Sequence, residues 1–376
     1  MTAVSVRTGT YIFPYPPMTG VRAAALLIRL GRLDSLFVYD HVQEFYPACL
    51  WDGDFTWLHK HQPSPHELYD YQTLLSGLAS KVGRMHLGVG VTESVRRHPV
   101  MIAQAALTLA HVAKRAPIIG FGAGEILNLE PYGLPTEYRV ARAAEALEIM
   151  RLCVTSHGPI DFDGKYFRLH RAVLGLRPPP GRIPQIWVAA HGPRMLELTG
   201  RYGDGWLPWS IVLSDPEQYA DKLAQIRSAA VHAGRDPDGI TASLMAQIFV
   251  ASSERKARAL LNSKIARYWA LMFPAARWQQ LGAEHPFGSA FRGFGDVLPE
   301  SYDRATLESA LAAVPPEVVE SGNLVGTPEQ IIRRLRLFRD AGMRHVALAP
   351  MSSYVTRRDF AYTAWALQRI ARSLRR

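Results

Sequence analysis

The chain of 376 residues has little cysteine and no long apolar run. Its two cysteines, Cys49 and Cys153, are too few and too far apart for a zinc site or a disulfide framework. No stretch of about 18 consecutive apolar residues occurs, so no membrane span is expected. The N-terminal run MTAVSVRTGTYIFPYPP lacks the charged region and apolar core of a signal peptide. We therefore expect a cytoplasmic protein.

Two nucleotide-binding signatures are also missing. The turn after the first predicted strand is PYPPMTG, which has no GxGxxG fingerprint and argues against a dinucleotide-binding sheet. The glycine-rich run IIGFGAGE is not followed by GK[ST], so it is not a P-loop. The absence of these motifs argues against a dinucleotide-binding sheet and against a P-loop.

Clustered basic residues are absent too, although the net charge is +10. Lysine and arginine are spread along the chain, and the densest run, RIARSLRR, is typical of the solvated face of a last helix. We expect no nucleic-acid partner. A positive protein does attract an anionic small molecule, because its summed field steers the ligand.

The sequence does contain a regular alternation of apolar strands and helical segments. Most of the strands are apolar along their whole length, as buried parallel strands are. The predicted strands are 7–13, 35–40, 85–92, 117–122, 185–190, 205–208, 240–251 and 345–350. Eight strands, most followed by a helix, predict a (β/α)8 TIM barrel. An open doubly wound sheet is the alternative.

Three stretches interrupt this alternation. They lie near 42–67, 156–182 and 254–318, and the last is predicted to be helical. The second contains IDFDGKYFRLH, which predicts a hairpin turning at Asp163–Gly164. No linker is evident, so we predict one domain over 1–376 with three insertions.

Polar residues follow three of the predicted strands. Asp40 and His41 end LFVYDH, Thr92 ends LGVGVT, and Glu125 follows IIGFGAGE. Because the C-terminal ends of barrel strands meet at one mouth, we expect these side chains to lie together. A histidine there titrates near neutrality and, paired with Glu125, is a candidate for acid–base chemistry. Loop capping is the alternative for both.

Glycine marks two of the same strand ends. Gly90 lies within an apolar strand, where glycine indicates either tight packing or a backbone kink. Gly120, Gly122 and Gly124 alternate, which leaves one face without side chains and lets a ligand approach the backbone. His191 precedes a predicted helix that starts at Pro193, a position suited to an anion.

These motifs together resemble the bacterial-luciferase-like family, most closely its branch of F420-dependent oxidoreductases, which use a deazaflavin. The resemblance rests on FVYDH, GVTESVRRHPVMIAQAALTLA, IIGFGAGE with NLEPYG, PQIWVAAHGPRMLELTGRYGDGW, and SGNLVGTPEQIIRRLRLFRDAGMRHVALAP. The run WVAAHGPRML is similar to the phthiodiolone ketoreductases of this branch, which reduce a keto group on a long-chain lipid. The family implies a homodimer.

The resemblance also implies a role for each matched residue. His41 and Glu125 match the catalytic pair, and Asp40 would contact the edge of the deazaflavin ring. Gly90–Val91 would form a non-proline cis peptide against the back of that ring. The residues implied to line the ring and its ribityl chain are Thr92, Gly124 and Asn128, and those implied to hold the phosphate are Ala190, His191 and Gly192.

Two departures from the family bear on the substrate. Phe45 stands where sugar-phosphate-oxidising relatives have tryptophan, and LPWSIVLS replaces their phosphate-gripping residues. A sugar phosphate is therefore not expected. We predict an apolar pocket, with core packing as the alternative for each aromatic. Its predicted members are Phe45, Trp51, Trp57, Trp187 and Trp209.

The resemblance therefore implies hydride transfer between reduced F420 and an electrophilic carbon, either a ketone or a polarised C=C. The substrate would be fairly apolar and lipid-like, with His41 as the proton donor and Glu125 tuning it. Three alternatives are a reductase of dehydroamino acids in a modified peptide, an FMN-dependent monooxygenase, and a non-catalytic carrier of the same cofactor.

Overall fold

The computed structural model describes residues 4–375. Its strands are β1 (Arg7–Tyr11), β2 (Ser35–Val38), β3 (His86–Thr92), β4 (Ile118–Phe121), β5 (Ile160–Asp163), β6 (Arg168–Ala172), β7 (Gln185–Val188), β8 (Gly205–Trp206), β9 (Thr241–Val250), β10 (Leu324–Gly326) and β11 (His345–Pro350). Within this part of the chain, eight parallel strands close in the order β1-β2-β3-β4-β7-β8-β9-β11. The predicted (β/α)8 barrel is confirmed.

The helices surround the barrel. They are α1 (Met18–Leu30), α2 (Tyr71–Leu78), α3 (Pro99–Val112), α4 (Arg139–Thr155), α5 (Pro193–Tyr202), α6 (Pro216–His232), α7 (Glu254–Leu260), α8 (Lys264–Leu271), α9 (Ala275–Gln280), α10 (Arg304–Ala312), α11 (Pro316–Ser321), α12 (Pro328–Asp340) and α13 (Arg357–Leu374). N-capping side chains set the residues at which several helices begin. Asp70 accepts from the Thr73 amide and is the N-cap of α2, which therefore starts at Tyr71.

The strands are buried because helices cover the outside of the barrel and side chains fill its interior. Every residue of β2 and β4 is buried, which explains their unbroken apolar sequence. The floor of the barrel is filled by Phe37, Trp187 and His345, whose rings contact one another. The open end is therefore the one at which the strands finish.

The predicted hairpin is present as β5 and β6, but its turn is longer than expected. Asp163 pairs with Arg168, which leaves a loop at 164–167 and not a two-residue turn at Asp163–Gly164. The Glu145 carboxylate of α4 accepts from the Lys165, Tyr166 and Phe167 amides and so anchors that loop to the helix. This contact is tertiary and has no local sequence pattern.

Two of the three insertions pack on each other at the open end of the barrel. Helices α7–α11 fall in or next to the 254–318 stretch, as the helical prediction requires. Trp269 Nε1 donates to the Tyr46 hydroxyl at 2.9 Å, and the Tyr268 hydroxyl donates to the Phe45 carbonyl at 2.8 Å. The short β10, which was not predicted, pairs with the last residues of β9 in the same region. These segments extend the mouth into a deeper cavity.

Candidate active site

A cavity of about 320 Å³ opens where the barrel strands end. Its wall contains most of the residues that the sequence singled out, drawn from five strand ends and the first insertion. They are Asp40, His41, Phe45, Gly90, Val91, Thr92, Gly124, Glu125, Asn128, His191 and Trp209. Ala190 and Gly192 flank His191 without lining this cavity. The structure thus brings together side chains that are up to about 170 residues apart in the sequence.

Asp40 is held by a network that the sequence did not reveal. It is 3% exposed. Its Oδ2 accepts from Thr92 Oγ1 at 2.7 Å and from Arg97 Nε at 3.0 Å. Arg96 donates to the Asp40 carbonyl at 2.7 Å and lies 3.3 Å from the carboxylate. The carboxylate therefore ties the ends of β2 and β3 to the loop after β3, in addition to facing the cavity.

His41 and Glu125 form the predicted pair. His41 Nε2 lies 3.1 Å from Glu125 Oε2, and the two side chains are 10% and 33% exposed. Burial lowers the pKa of His41, but the charge and hydrogen bond of Glu125, with the charge of Glu44, outweigh it and raise the pKa above 6.5. Nδ1 is buried and has no partner among residues 4–375. The imidazole is thus anchored at one nitrogen and free at the other.

Glu44 is a functional candidate that sequence reasoning missed. It is 3% exposed and lines the cavity. Tyr15 and Tyr39 donate their hydroxyls to its Oε2 at 2.8 and 2.7 Å. Burial and the Glu44 charge raise the pKa of both tyrosines well above its ordinary value. An acidic residue inside the aromatic run QEFYP was the available sequence signal.

Glycine shapes the wall beside His41. The Gly90–Val91 peptide bond is cis, and the pairing of β3 with β4 shifts register between Val89 and Thr92. A Cβ on Gly90 would lie 2.5 Å from the Tyr11 hydroxyl. Gly124 has φ +95°, a conformation that favours glycine. The backbone is therefore exposed to the cavity on this side.

Asn128 holds the loop after β4 against the loop after β2. Its Oδ1 accepts from the Val42 amide at 2.9 Å, and its side chain is 2% exposed. Arg139 donates to the Gly124 carbonyl at 2.8 Å. These contacts fix the turn that carries Glu125. We call Asp40, His41, Gly90–Thr92 and Gly122–Glu125 the strand-end wall.

His191 lies before α5, with Gly192 at the N-cap and Pro193 in the first turn. Burial, with the charge of Lys222, lowers the pKa of His191 to about 4. Lys222 Nζ donates to the His191 carbonyl at 2.9 Å, and His191 Nδ1 is buried with no partner in the described chain. At neutral pH the local positive charge therefore comes from Lys222 and the helix end, not from the imidazole.

The opposite side of the cavity is aromatic. Phe294 contacts Trp209 and Phe45 at ring-centroid distances of 4.7 and 5.2 Å, and Trp269 lies 5.6 Å from Trp209. Trp269 and Phe294 come from the 254–318 insertion, where sequence reasoning named no site residue. We call Phe45, Trp209, Trp269 and Phe294 the aromatic wall.

Three predicted pocket aromatics are corrected by the structure. Trp51 donates from Nε1 to the Gln62 carbonyl at 2.7 Å and packs on Tyr46, and Trp57 donates to the Ser353 carbonyl at 2.9 Å. Trp187 is 1% exposed in the barrel floor. None of the three lines the cavity. Burying a large indole in a core with its N–H paired is the commoner use of tryptophan, and it applies to Trp51 and Trp187. Trp57 is only half-buried and packs on Phe360 outside the cavity.

Two negative findings apply to residues 4–375. No group of three or more His, Cys, Asp or Glu side chains there has an arrangement that could hold a metal ion. No helix in that range is long and apolar enough to cross a membrane.

Comparisons with known proteins agree with this arrangement. The family model described as luciferase-like monooxygenase matches residues 54–345. A phthiodiolone/phenolphthiodiolone dimycocerosates ketoreductase from Mycobacterium tuberculosis is 37% identical over 336 residues, which cover 89% of this chain and 88% of that protein.

Solved structures share the fold at lower identity. An F420-dependent secondary alcohol dehydrogenase in complex with an F420–acetone adduct has a TM-score of 0.75 at 19% identity, covering 99% of this chain and 100% of that one. The oxygenating constituent of 3,6-diketocamphane monooxygenase from Pseudomonas putida, in complex with FMN, has a TM-score of 0.66 at 16% identity, covering 99% and 98%. The fold therefore accommodates either cofactor.

Proposed function

This chain belongs to the luciferase-like monooxygenase family, and we propose on that premise that it is an F420-dependent oxidoreductase that reduces a ketone of a fairly apolar, lipid-like substrate. The observation that carries the proposal is the His41–Glu125 pair at 3.1 Å beside the glycine-lined strand-end wall. The ketoreductase relative supports the choice of a carbonyl substrate.

The residues present fit a flat cofactor with an anionic tail. The exposed backbone at Gly90–Val91 and Gly122 offers a surface without large side chains. His191 Nδ1 is a buried polar atom without a partner in the described chain, and Lys222 supplies a cation beside it. When bound, reduced F420 would supply the hydride. Asp40, Thr92 and Asn128 would position its ring, as the family resemblance implies.

His41 would supply the proton. The raised pKa of His41 increases the fraction of imidazolium present near neutral pH. Glu125 takes the hydrogen bond from Nε2, which fixes the ring and leaves the proton on Nδ1 for the carbonyl oxygen as negative charge develops there. General acid catalysis of this kind contributes about 10²–10⁴-fold. Glu44 keeps additional negative charge near the imidazolium.

The aromatic wall would bind the substrate and exclude water. Aromatic rings bury large apolar areas, and the aromatic wall itself carries no charged side chain. An alkyl chain would therefore lie against Phe45, Trp209 and Phe294 with its carbonyl toward His41.

The test is binding of F420 and FMN to the purified protein, followed by fluorescence. We expect micromolar or tighter binding of F420 and much weaker binding of FMN. The protein should then oxidise reduced F420 in the presence of long-chain ketones. Tight binding of FMN alone would overturn the proposal and assign the chain to the oxygen-using members of the family.

Three further expectations belong to this proposal. We propose a homodimer, a single domain over 1–376, and a cytoplasmic location. Light scattering after gel filtration tests the first, and a single calorimetric transition together with resistance to limited proteolysis tests the second. Cell fractionation tests the third.

A further inference from the structure

We propose that Gln247 and Trp209 form a hydroxyl-binding subsite, so that the preferred substrate is a ketone that carries a separate hydroxyl group. The inference rests on the proposed reduction of a ketone and specifies its substrate. It starts from two polar atoms in the cavity whose hydrogen-bonding capacity is unused.

Gln247 lies on β9 and faces the cavity. Its side chain is 2% exposed, and its Oε1 is buried without a partner in the part of the chain that the structure describes. Its backbone amide is satisfied by Ser210 Oγ at 3.0 Å. The side-chain carbonyl oxygen of Gln247 therefore has no hydrogen-bond donor among the described residues.

Trp209 provides the complementary group. It forms a parallel bridge with Met245, which is two residues before Gln247 on β9 and therefore on the same face of the strand. Its Nε1 is also buried and unpartnered among residues 4–375. The indole N–H is a donor only, and the Gln247 carbonyl oxygen is an acceptor.

No group among residues 4–375 pairs with either atom. The wall of the same cavity includes Leu207, Val212, Met245, Trp269 and Phe294, and also the Tyr11 hydroxyl, which has no partner in that range either. Nearly all buried polar atoms in proteins have a hydrogen-bond partner, so Gln247 Oε1 and Trp209 Nε1, on strand ends joined by the Trp209–Met245 bridge, need an explanation. A ligand that completes both bonds is one.

A hydroxyl group has the required chemistry. It donates to one acceptor and accepts from one donor at the same time, whereas an ether or a second ketone only accepts and leaves Gln247 Oε1 unpaired. In the barrel order, β9 lies opposite β3, which carries Gly90–Val91. The hydroxyl would thus be held across the cavity from the strand-end wall, at a fixed spacing from the reacting carbonyl.

The experiment compares a long-chain ketone with hydroxyketones of the same length in which the hydroxyl is moved one carbon at a time. We expect one hydroxyl position to raise kcat/KM by about 10-fold or more over the plain ketone, because a site built for a hydroxyl discriminates against its absence. In Gln247→Met that ratio should fall to near one, and in Trp209→Phe it should fall partway. Ile248→Val, on the same strand but in the core and not among the residues that line the cavity, is the control and should keep the ratio.

Binding of the same compounds, measured by calorimetry without reduced cofactor, separates this inference from the proposed reaction. If F420 does not bind but the hydroxyketone binds more tightly than the ketone, and does so through Gln247, the subsite stands and the ketoreductase proposal fails. If no hydroxyl position is preferred, or if the preference survives in a folded Gln247→Met protein, the subsite is overturned. Thermal unfolding of each variant shows whether it is folded.

Discussion

The two walls of the cavity are built in different ways. In the strand-end wall, side chains are fixed by directional bonds: Asp40 accepts from Thr92 and Arg97, and His41 is paired with Glu125. In the aromatic wall, ring-to-ring packing positions Phe294 against Phe45, Trp209 and Trp269. Directional bonds fix atoms for chemistry, whereas packing tolerates changes of shape. The difference fits the proposed function, in which the strand-end wall carries the reaction and the aromatic wall binds the substrate.

Removal of the proton donor should have the largest effect. We expect His41→Ala to lower kcat/KM for ketone reduction by about 10²–10⁴-fold, because general acid catalysis is lost. Steady-state oxidation of reduced F420 measures this. His59→Ala, in the insertion that follows His41 and with its ring bonded to the Thr56 carbonyl, should stay within about 3-fold of wild type, a change worth under 1 kcal/mol. Equal losses in both variants would contradict the role of His41.

The second-largest effect should be a loss of folding stability when the charge of Asp40 is removed. Asp40→Asn leaves Arg96 and Arg97 without a shared buried partner, and breaking a buried ion pair costs about 3–5 kcal/mol. Because Glu93 and Asp70 still pair with these arginines, we expect the lower end of that range. Urea unfolding measures it. Asp163→Asn, whose partner Arg168 is exposed, should show no measurable loss, and a similar loss in both would refute the network.

A change in the aromatic wall should alter selectivity more than the reaction itself. Phe294→Ala removes a ring that contacts Phe45 and Trp209, so we expect bulkier ketones to gain about 10-fold relative to small ones. A panel of ketones of increasing size measures the shift. Phe360→Ala, at a ring that contacts Trp57 outside the cavity, should leave the panel unchanged. An unshifted panel for Phe294→Ala would remove the wall from substrate selection.

The smallest effect should be a displacement along the pH axis. Glu125 raises the pKa of His41, so Glu125→Gln should lower it. Because reduction needs the protonated imidazole, the fall in kcat/KM as pH rises should begin at lower pH in the variant. The same raised pKa adds stability that is fully present below about pH 6.5 and is lost as pH rises through the His41 pKa. Glu137→Gln, at an exposed position, should leave the profile unchanged.

Local pattern was enough for much of the fold and part of the site. Buried parallel strands have nearly continuous apolar sequence, so β2, β3 and β4 were recognisable, and their polar ends placed Asp40, His41, Thr92 and Glu125 at one mouth. Trp51 and Trp187 were not distinguishable from pocket residues, because a buried indole has the same composition signal in a core and in a cavity. Glu44, Trp269 and Phe294 acquire their position only through contacts between distant segments.

The alternation of strands and helices and the side chains at each strand end can be predicted from local sequence, because strand and helix periodicity and glycine conformation are local properties. The tertiary structure alone decided which groups meet. Arg97 reaches Asp40 across 57 residues, the 254–318 insertion folds over the first insertion, and Gln247 Oε1 is left without a partner among residues 4–375, on the strand that Trp209 bridges. Such relations depend on the closure of the barrel, which brings the ends of distant strands within hydrogen-bonding distance.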